Sequence, residues 1–543
     1  MKTKNIIYLF SLLFGIGMIT SCSDSYFDKY PSDSMQMETY LTNDSEIKNV
    51  LLDSYYSLRV ISENAIYIND ISTDVAYDRK KNNATDYIAL NENTWDATVS
   101  FSDSIWVNSY KMINRCNNVL SHLNNVTSTA NKTQFEGEAK FFRAYAYFTL
   151  VRLFGPVPLT ETVITNYTDL YSYGRNTTDE VYSLIKSDLT TAIANLPTSY
   201  SAATDKGRVT KMAAYTMQAE MYMTLKDFTN AQKSLESVIS YANQNPSALG
   251  LESDVAKIYD SQNPIGKEII LAAQYNNGST IVANELMRRC IPAVTPSNQP
   301  SYIYSDGTKS TISCSQGYGC LLMTWEMYNK LKENPKDQRF TKLVYNGLYD
   351  TESVSKASDE VELTGTGYAK IPVSLKYYDF NNQGLNTCAS GCDNIIYRYA
   401  DVLLMYAECL NETGSTSQAV TYLNMVRNRA GLENTTATTK AAMTLAIENE
   451  RLLELNFEGH RWYDLVRTGR ITAVMESHFS HRTQGLSAVA QADDNGMVVT
   501  DCNSTTATST AKWKWSGSSA AVLFPIPYNQ IQLMPSWQQN DLY

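Results

Sequence analysis

The most constraining feature of this chain is a pair of apolar stripes that occurs twice. Leu403, Ala407 and Leu410 fall at positions i, i+4 and i+7, and the same offsets return at Ala419, Leu423 and Val426. An earlier stretch repeats both sets, at Tyr215, Ala219 and Tyr222 and then at Ala231, Leu235 and Val238, with its two alanines again twelve residues apart. Each set predicts a helix with one narrow apolar stripe, so each stretch predicts an antiparallel helix pair.

The spacing also indicates how these pairs are assembled. Small residues at the repeated positions let helices approach closely, and the period suits a tetratricopeptide (TPR) unit of about 34 residues. One unit cannot bury its own apolar faces, so two units far apart predict one discontinuous solenoid with insertions. Generic amphipathic helices are the alternative.

The first residues predict export and lipid anchoring. Lys2 and Lys4 precede an apolar run from Ile6 to Ile19 that is too short to span a bilayer, which predicts a signal peptide over residues 1–21. The run ends in a small residue followed by Cys22, a pattern typical of bacterial lipoproteins in which the cysteine is acylated. An ordinary signal followed by an incidental cysteine is the alternative. Residues 22–44 are then expected to be a lipidated tether, and residues 45–543 a single body.

Net charge limits the classes of binding partner, and cysteine spacing allows disulfides. Removing residues 1–21 takes away two lysines and no acid, which leaves 43 basic against 56 acidic residues. This balance argues against nucleic acid and strongly anionic polysaccharides as bulk partners, with one local basic patch left open as an exception to the average. The pairs Cys314/Cys320 and Cys388/Cys392 are close enough in sequence for disulfides in an exported protein, and the second pair is alternatively half a metal site. Cys116 and Cys409 are expected to be buried thiols within helices.

Further patterns divide the chain into helical and irregular parts. Residues 132–154 are apolar nearly all round and stop at Gly155-Pro156, which predicts a buried helix. Helical repeats are expected over about 45–60, 104–242 and 398–470. Stretches rich in Gly, Asn, Ser and Thr predict irregular insertions at about 61–103, 245–397 and 472–521, and insertions this long tend to be functional.

Several blocks resemble the SusD/RagB family of outer-membrane nutrient-binding lipoproteins. They occur in family order and cover nearly the whole chain: Glu138–Pro158, Arg398–Gly414, Asn424–Leu432, Glu450–Gly469 and Leu523–Ile531 with Gln539-Asn540. The resemblance implies a mainly α fold with TPR-like repeats and long insertions of loops and short strands. It also implies a surface lipoprotein that binds oligosaccharide and delivers it to a SusC-like TonB-dependent transporter in the outer membrane. A peptide-capturing member of the family and a surface glycoside hydrolase are the alternatives.

The resemblance places the ligand site in the N-terminal irregular region and the middle insertion, away from the repeats. The candidates there are Asp74, Tyr77, Arg79, Trp95, Tyr302, Tyr304 and Trp325. Trp95 is expected to be the stacking platform, with Asp74 and Arg79 as its hydrogen-bonding partners. Trp513 and Trp515 form either a second aromatic patch or a structural strand.

Signals for catalysis are weak. The chain has no Gly-rich phosphate loop, His-Glu-x-x-His motif or nucleophile elbow, so no enzyme activity, cofactor or metal is predicted. His460 to Asp464 offer a base, a cation and an acid, but adjacent helical residues point in different directions, and this motif is expected to pack. The 38 tyrosines and seven tryptophans suit the faces and hydroxyls of sugar rings.

Overall fold

The computed structural model describes most of the chain after residue 39. The described residues are 40–78, 85–164, 171–276, 282–294, 301–303, 309–311, 314–349, 370–382, 390–484, 491–492, 498–499 and 522–543. The expected signal peptide, Cys22 and nearly all of the tether therefore lie outside them.

The described part of the chain is mainly helical. Its helices are α1 Asp44–Ile66, α2 Thr85–Glu92, α3 Ser100–Ser121, α4 Thr129–Phe154, α5 Thr178–Asn195, α6 Lys211–Thr224, α7 Phe228–Gln244, α8 Leu286–Cys290, α9 Trp325–Lys332, α10 Gln338–Leu343, α11 Tyr399–Glu412, α12 Thr416–Arg429, α13 Lys440–Leu455, α14 Arg461–Thr468, α15 Ile471–Gln484 and α16 Tyr528–Leu533. A short π-helical segment, Tyr67–Ile71, continues α1. None of the described helices combines the length and the apolar character needed to cross a membrane.

The strands are short and pair in twos. They are β1 Ala76–Tyr77, β2 Ile269–Ala273, β3 Pro292–Val294, β4 Ser301–Ile303, β5 Lys309–Thr311, β6 Cys314–Tyr318, β7 Leu322–Met323, β8 Val344–Tyr349, β9 Lys370–Ser374, β10 Asn394–Arg398, β11 Gln491–Ala492 and β12 Val498–Val499. The antiparallel pairs are β1–β7, β2–β10, β3–β6, β4–β5, β8–β9 and β11–β12.

The two predicted helix pairs meet in space, which confirms the discontinuous solenoid. Helices α6 and α7 pack on each other, α11 packs on α12, and α11 also packs on α7 across the long insertion between them. The Tyr406 hydroxyl donates to Glu236 Oε1 at 3.1 Å across that contact. The small residues Ala219, Ala231, Ala407 and Ala419 are fully buried, as close helix packing requires.

Local sequence explains where the long helices begin and end. At the start of α5 the Thr177 side chain accepts a hydrogen bond from the Glu180 backbone N–H. The Glu180 side chain accepts one from the Thr177 backbone N–H, which completes a capping box. Helix α4 ends where Gly155 adopts a left-handed φ of 70°. Within α4 the buried Arg143 is compensated by Asp188 of α5 at 2.7 Å.

Buried ion pairs attach the middle insertion to the helical repeats. Arg398 lies 2.9 Å from Glu268 and 2.6 Å from Glu454. The ammonium of Lys376 lies 2.6 Å from Glu458, although both side chains are buried. Burial by itself raises the pKa of Glu458, but Arg398 and Lys376 outweigh it and lower that pKa to about 2. The insertion is therefore held by charges that pair only in the folded state.

Two predicted irregular regions contain more helix than expected. Helix α1 and its π-helical extension continue to Ile71, and α2 lies within the predicted 61–103 insertion. Helix α15 occupies the start of the predicted 472–521 insertion, where Ile471 and Met475 are buried. Glu476 of α15 is exposed, but Asn69, Asp70 and Asn91 of the first region are buried. Polar composition alone therefore misplaced these boundaries.

The described cysteines are free thiols. Cys116 and Cys409 are buried within α3 and α11, as predicted. Cys320 and Cys392 are also buried and free, so neither of these two thiols forms the disulfide that the sequence allowed. Their expected partners Cys314 and Cys388 have side chains outside the described residues. The Cys392 thiol donates instead to the carbonyl oxygen of Tyr259 at 3.2 Å.

Candidate functional site

A two-stranded ladder joins the N-terminal region to the middle insertion. Strand β1 pairs antiparallel with β7, Ala76 opposite Met323 and Tyr77 opposite Leu322. The Thr324 hydroxyl donates to the carbonyl oxygen of Asp74 at 2.6 Å. The ladder therefore places Asp74, Tyr77 and the start of α9, at Trp325, beside one another.

Asp74 lies in the interior and forms an ion pair with Arg461. It is buried, and both of its carboxylate oxygens accept from Arg461 of α14 at 2.8 Å. Burial raises the pKa of Asp74, but the Arg461 guanidinium outweighs burial and lowers that pKa to about 2. The predicted role of Asp74 as a hydrogen-bonding partner of the ligand does not fit this placement, because the carboxylate is buried and both of its oxygens bind Arg461. The pair instead shows that Arg461 packs, as expected of its motif.

Trp95 is also in the interior, so the predicted stacking platform has no open face. Its side chain is 4% exposed, and its ring stacks on Phe524 with 4.6 Å between centroids. Its indole N–H donates to the Tyr543 hydroxyl at 2.8 Å. Sequence could not show this burial, because the contacts come from the C-terminal end of the chain.

For most of the remaining predicted residues the structure does not describe the side chain. Tyr77 is partly buried. The backbone of Tyr302 lies in β4 opposite Ser310, and that of Trp325 begins α9, but their side chains are outside the described residues, as are Arg79, Tyr304, Trp513 and Trp515.

The structure exposes a different aromatic residue in the same region. Pairing of β3 with β6 sets Pro292 opposite Tyr318, and this brings Tyr318 beside α8. The Tyr318 side chain is 37% exposed. The guanidinium carbon of Arg289 lies 4.7 Å from the Tyr318 ring centroid, and that of Arg288 lies 5.1 Å from it.

Buried aromatic residues of the N-terminal region support this group from behind. The Arg289 guanidinium also lies 5.8 Å from the Tyr87 ring of α2. Tyr87 packs edge-to-face on Tyr67 at 5.5 Å and on Phe101 at 4.8 Å. The Tyr67 hydroxyl donates to Glu63 at 2.6 Å, and burial raises the pKa of Tyr67, so that hydroxyl stays protonated. Arg289 is therefore held between a rigid aromatic cluster and the exposed ring.

The group of Tyr318, Arg288 and Arg289 is what we call the Tyr318 platform. Tyrosine offers a flat apolar face and one polar tip, and arginine offers several fixed N–H donors. This combination can bind a ring with hydroxyl groups at its edge. No group of three or more His, Cys, Asp or Glu suited to a metal occurs in the described ranges.

Sequence reasoning missed this platform, although weak signals were present. Arg288 and Arg289 are adjacent in a chain with excess acid, and Tyr318 stands between two glycines. Gly319 adopts a left-handed φ of 59°, which turns the chain directly after the tyrosine. What joins these residues is the β3–β6 pairing, which the sequence pattern did not reveal.

Comparison with known proteins decides the family. A sequence model described as "SusD family" matches residues 267–543, and one described as "Starch-binding associating with outer membrane" matches residues 25–223. The chain belongs to the SusD family. The family predicted from the sequence blocks is thereby confirmed, and so is the fold class.

Curated relatives of the SusD family match over most of their length. SusD-like protein P25 of Formosa agariphila is 26% identical over 512 residues, which cover 88% of this chain and 92% of the relative. A SusD-like protein of Bacteroides ovatus is 26% identical over 506 residues, which cover 89% of this chain and 86% of the relative.

Solved structures of the family share the fold. A SusD homolog from Bacteroides thetaiotaomicron has a TM-score of 0.71 at 20% identity, over 93% of this chain and 98% of that one. A laminarin binding SusD-like protein has a TM-score of 0.70 at 22% identity, over 92% of this chain and all of that one. At these identities the likeness shows the architecture alone.

Proposed function

We propose that this protein is a lipid-anchored outer-membrane protein that binds an oligosaccharide and delivers it to a transporter. The observation that carries the proposal is the exposed Tyr318 ring flanked by Arg288 and Arg289, in a member of the SusD family. Two family descriptions support the ligand class: the starch-binding description that matches residues 25–223, and the laminarin-binding neighbour.

The platform suits a sugar ring with hydroxyl groups at its edge. A sugar ring places C–H groups against an aromatic face, and its hydroxyls accept hydrogen bonds from guanidinium groups. Arg288 also lies 2.8 Å from Glu285, which offsets part of the local positive charge. The chain as a whole carries 56 acidic against 45 basic residues, which opposes a strongly anionic polysaccharide.

The anchor and the transport partner rest on the sequence and the family. The Cys22 pattern predicts acylation after signal removal. The outer-membrane description of the family agrees with that location. The partner we propose is a SusC-like TonB-dependent transporter, with no covalent chemistry on the cargo.

The binding proposal is tested on purified chain starting at Ser23. It is titrated with starch, laminarin, plant and host glycan fragments and peptides, alongside Tyr318→Ala. Tyr171→Ala is the matched control, because Tyr171 is 63% exposed and lies outside the platform. We expect one glycan class to saturate the protein and Tyr318→Ala to weaken its affinity about fivefold, since an aromatic contact contributes about 1 kcal/mol.

Other outcomes would contradict the proposed ligand class or the proposed site. Peptide binding without glycan binding would replace the ligand class by that of the peptide-capturing alternative. Equal glycan affinity of Tyr318→Ala and wild type would remove the platform from the site. The anchor is tested separately: Cys22→Ala should release the protein from the membrane fraction, and affinity purification of wild type should retain the transporter.

A further inference from the structure

A cavity that shares no residue with the Tyr318 platform lies beside the helical repeats. It holds about 220 Å³ and lies where the α6–α7 turn meets α11, α13 and α14. Its uncharged lining comprises Phe228, Thr444, Ile447, Leu465 and Thr468. Apolar surface with a few hydroxyls is typical of a small-molecule site.

All four acidic residues of this lining form ion pairs with basic side chains. Each carboxylate lies within 3.0 Å of a guanidinium or ammonium nitrogen: Glu408 with Arg467, Asp464 with Arg451, Glu448 with Arg470 and Glu412 with Lys440. These acids therefore do not need a further cation.

Lys226, at the mouth of the cavity, is in a different situation. It is exposed and forms no ion pair with any described residue. Its ammonium donates to the carbonyl oxygen of Arg467 and lies 6.0 Å from the Phe228 ring centroid. An ammonium has three N–H donors, so donors remain for a ligand. Partial desolvation of the ammonium and the nearby Arg467 charge lower the pKa of Lys226, and the Glu408 and Glu412 carboxylates only partly oppose this. A ligand carboxylate bound to the ammonium would favour its charged form.

The backbone of Lys226 has an unfavourable conformation. Its φ is +63°, a left-handed conformation that L side chains adopt at a cost. The corresponding turn of the other helix pair, between α11 and α12, has Gly414 at this place with a φ of +91°. In each turn the residue before is the helix C-cap and the residue after is the N-cap of the next helix. Glycine is the unstrained choice, so Lys226 carries a backbone cost that Gly414 avoids in the other turn.

We infer that this cavity binds the carboxylate of a small acidic ligand, with Lys226 as the residue that recognises it. The Lys226 ammonium would bind the carboxylate at the cavity entrance. Phe228, Ile447 and the two threonines would contact the rest of the ligand. This site is separate from the glycan site proposed above and stands or falls independently of it.

The test uses chain starting at Ser23 and four probes followed by ligand-observed NMR. Glucuronate and N-acetylglycine carry the carboxylate of a sugar acid and of a peptide end, acetate carries the carboxylate alone, and methyl glucoside is the uncharged comparison. We expect saturable binding of at least one carboxylate larger than acetate, and the preference between glucuronate and N-acetylglycine names the source. Lys226→Ala should weaken it tenfold or more, while Lys233→Ala, an exposed lysine of α7 outside the cavity, should not.

Lys226→Gly separates recognition from folding. It should lose binding as Lys226→Ala does, yet unfold at a higher temperature than Lys226→Ala, because glycine relieves the left-handed strain. The inference is overturned if no carboxylate binds, if methyl glucoside binds equally well, or if Lys226→Ala binds as wild type. Tyr318→Ala should leave carboxylate binding unchanged.

Discussion

The indole of Trp95 lies almost parallel to the ring of Phe524, with 4.6 Å between centroids and 12° between planes. Trp462 of α14 meets both rings edge-to-face, at 5.6 Å from Trp95 and 5.8 Å from Phe524. Three distant parts of the chain thus share one aromatic cluster. Trp95, which the sequence suggested as a ligand platform, instead packs the C-terminal segment onto the rest of the protein.

Trp95→Ala should therefore affect stability and spare binding. Emptying the space of a fully buried aromatic side chain costs about 3–5 kcal/mol of unfolding free energy. Urea denaturation measures this loss, and Tyr56→Ala is the control because Tyr56 is 55% exposed. Glycan affinity of the variant, measured well below its unfolding transition, should equal that of wild type. A lost affinity with unchanged stability would return Trp95 to the ligand site.

Glu454 should be among the residues least tolerant of neutralisation. It lies 2.6 Å from Arg398 and 3.0 Å from Arg339, and it also pairs with Arg429, in a buried network. Glu454→Gln keeps the shape but leaves buried guanidinium charge uncompensated, which costs about 3–5 kcal/mol. Urea denaturation should show this loss, while Glu476→Gln, at an exposed position of α15, should change stability by less than about 0.5 kcal/mol.

Asp70 should make stability fall as the pH rises. Burial raises its pKa to about 8, although its Oδ2 accepts from the Gly459 backbone at 3.1 Å. The unfolded chain ionises this carboxyl near pH 4, so the native state is penalised increasingly between about pH 4 and 8. Asp70→Asn removes the penalty. Its unfolding free energy relative to wild type should therefore increase by a few kcal/mol from pH 5 to pH 8.5.

Asp74 and Glu458 act in the opposite direction, but only below about pH 5, outside the window of this comparison. Their lowered pKa values contribute stability that is lost as the pH falls towards 2. A difference between Asp70→Asn and wild type that stays constant from pH 5 to 8.5 would show that Asp70 does not titrate as described.

Two glycines separate backbone strain from steric contact. Gly431 and Gly414 have φ values of +84° and +91°. A Cβ at Gly431 would lie 2.8 Å from the carbonyl oxygen of Lys336, whereas one at Gly414 would meet nothing within 4 Å. Gly414→Ala should cost about 1–2 kcal/mol from the left-handed conformation alone. Gly431→Ala should cost clearly more in the same thermal or urea unfolding experiment, and equal costs would contradict the close approach.

Periodic local patterns were readable from the sequence. The stripes through Ala219 and Ala407 fixed the helix pairs, and Gly155 marked the end of α4, because helix formation and capping depend on neighbours a few residues away. The family blocks supported the same architecture. Composition was less reliable, since α15 and the end of α1 carry polar faces that resemble loops.

The site depended on contacts that no local pattern contains. Trp95 and Tyr318 are both aromatic residues in loop-like surroundings, yet one is 4% exposed and the other 37%. The difference comes from partners that are remote in sequence: Phe524 and Tyr543 cover Trp95, while β3–β6 pairing presents Tyr318 beside Arg289. The sequence by itself determined the helical repeats, because their signal is local and periodic. Only the tertiary structure decided which aromatic faces meet solvent, because burial is set by long-range packing.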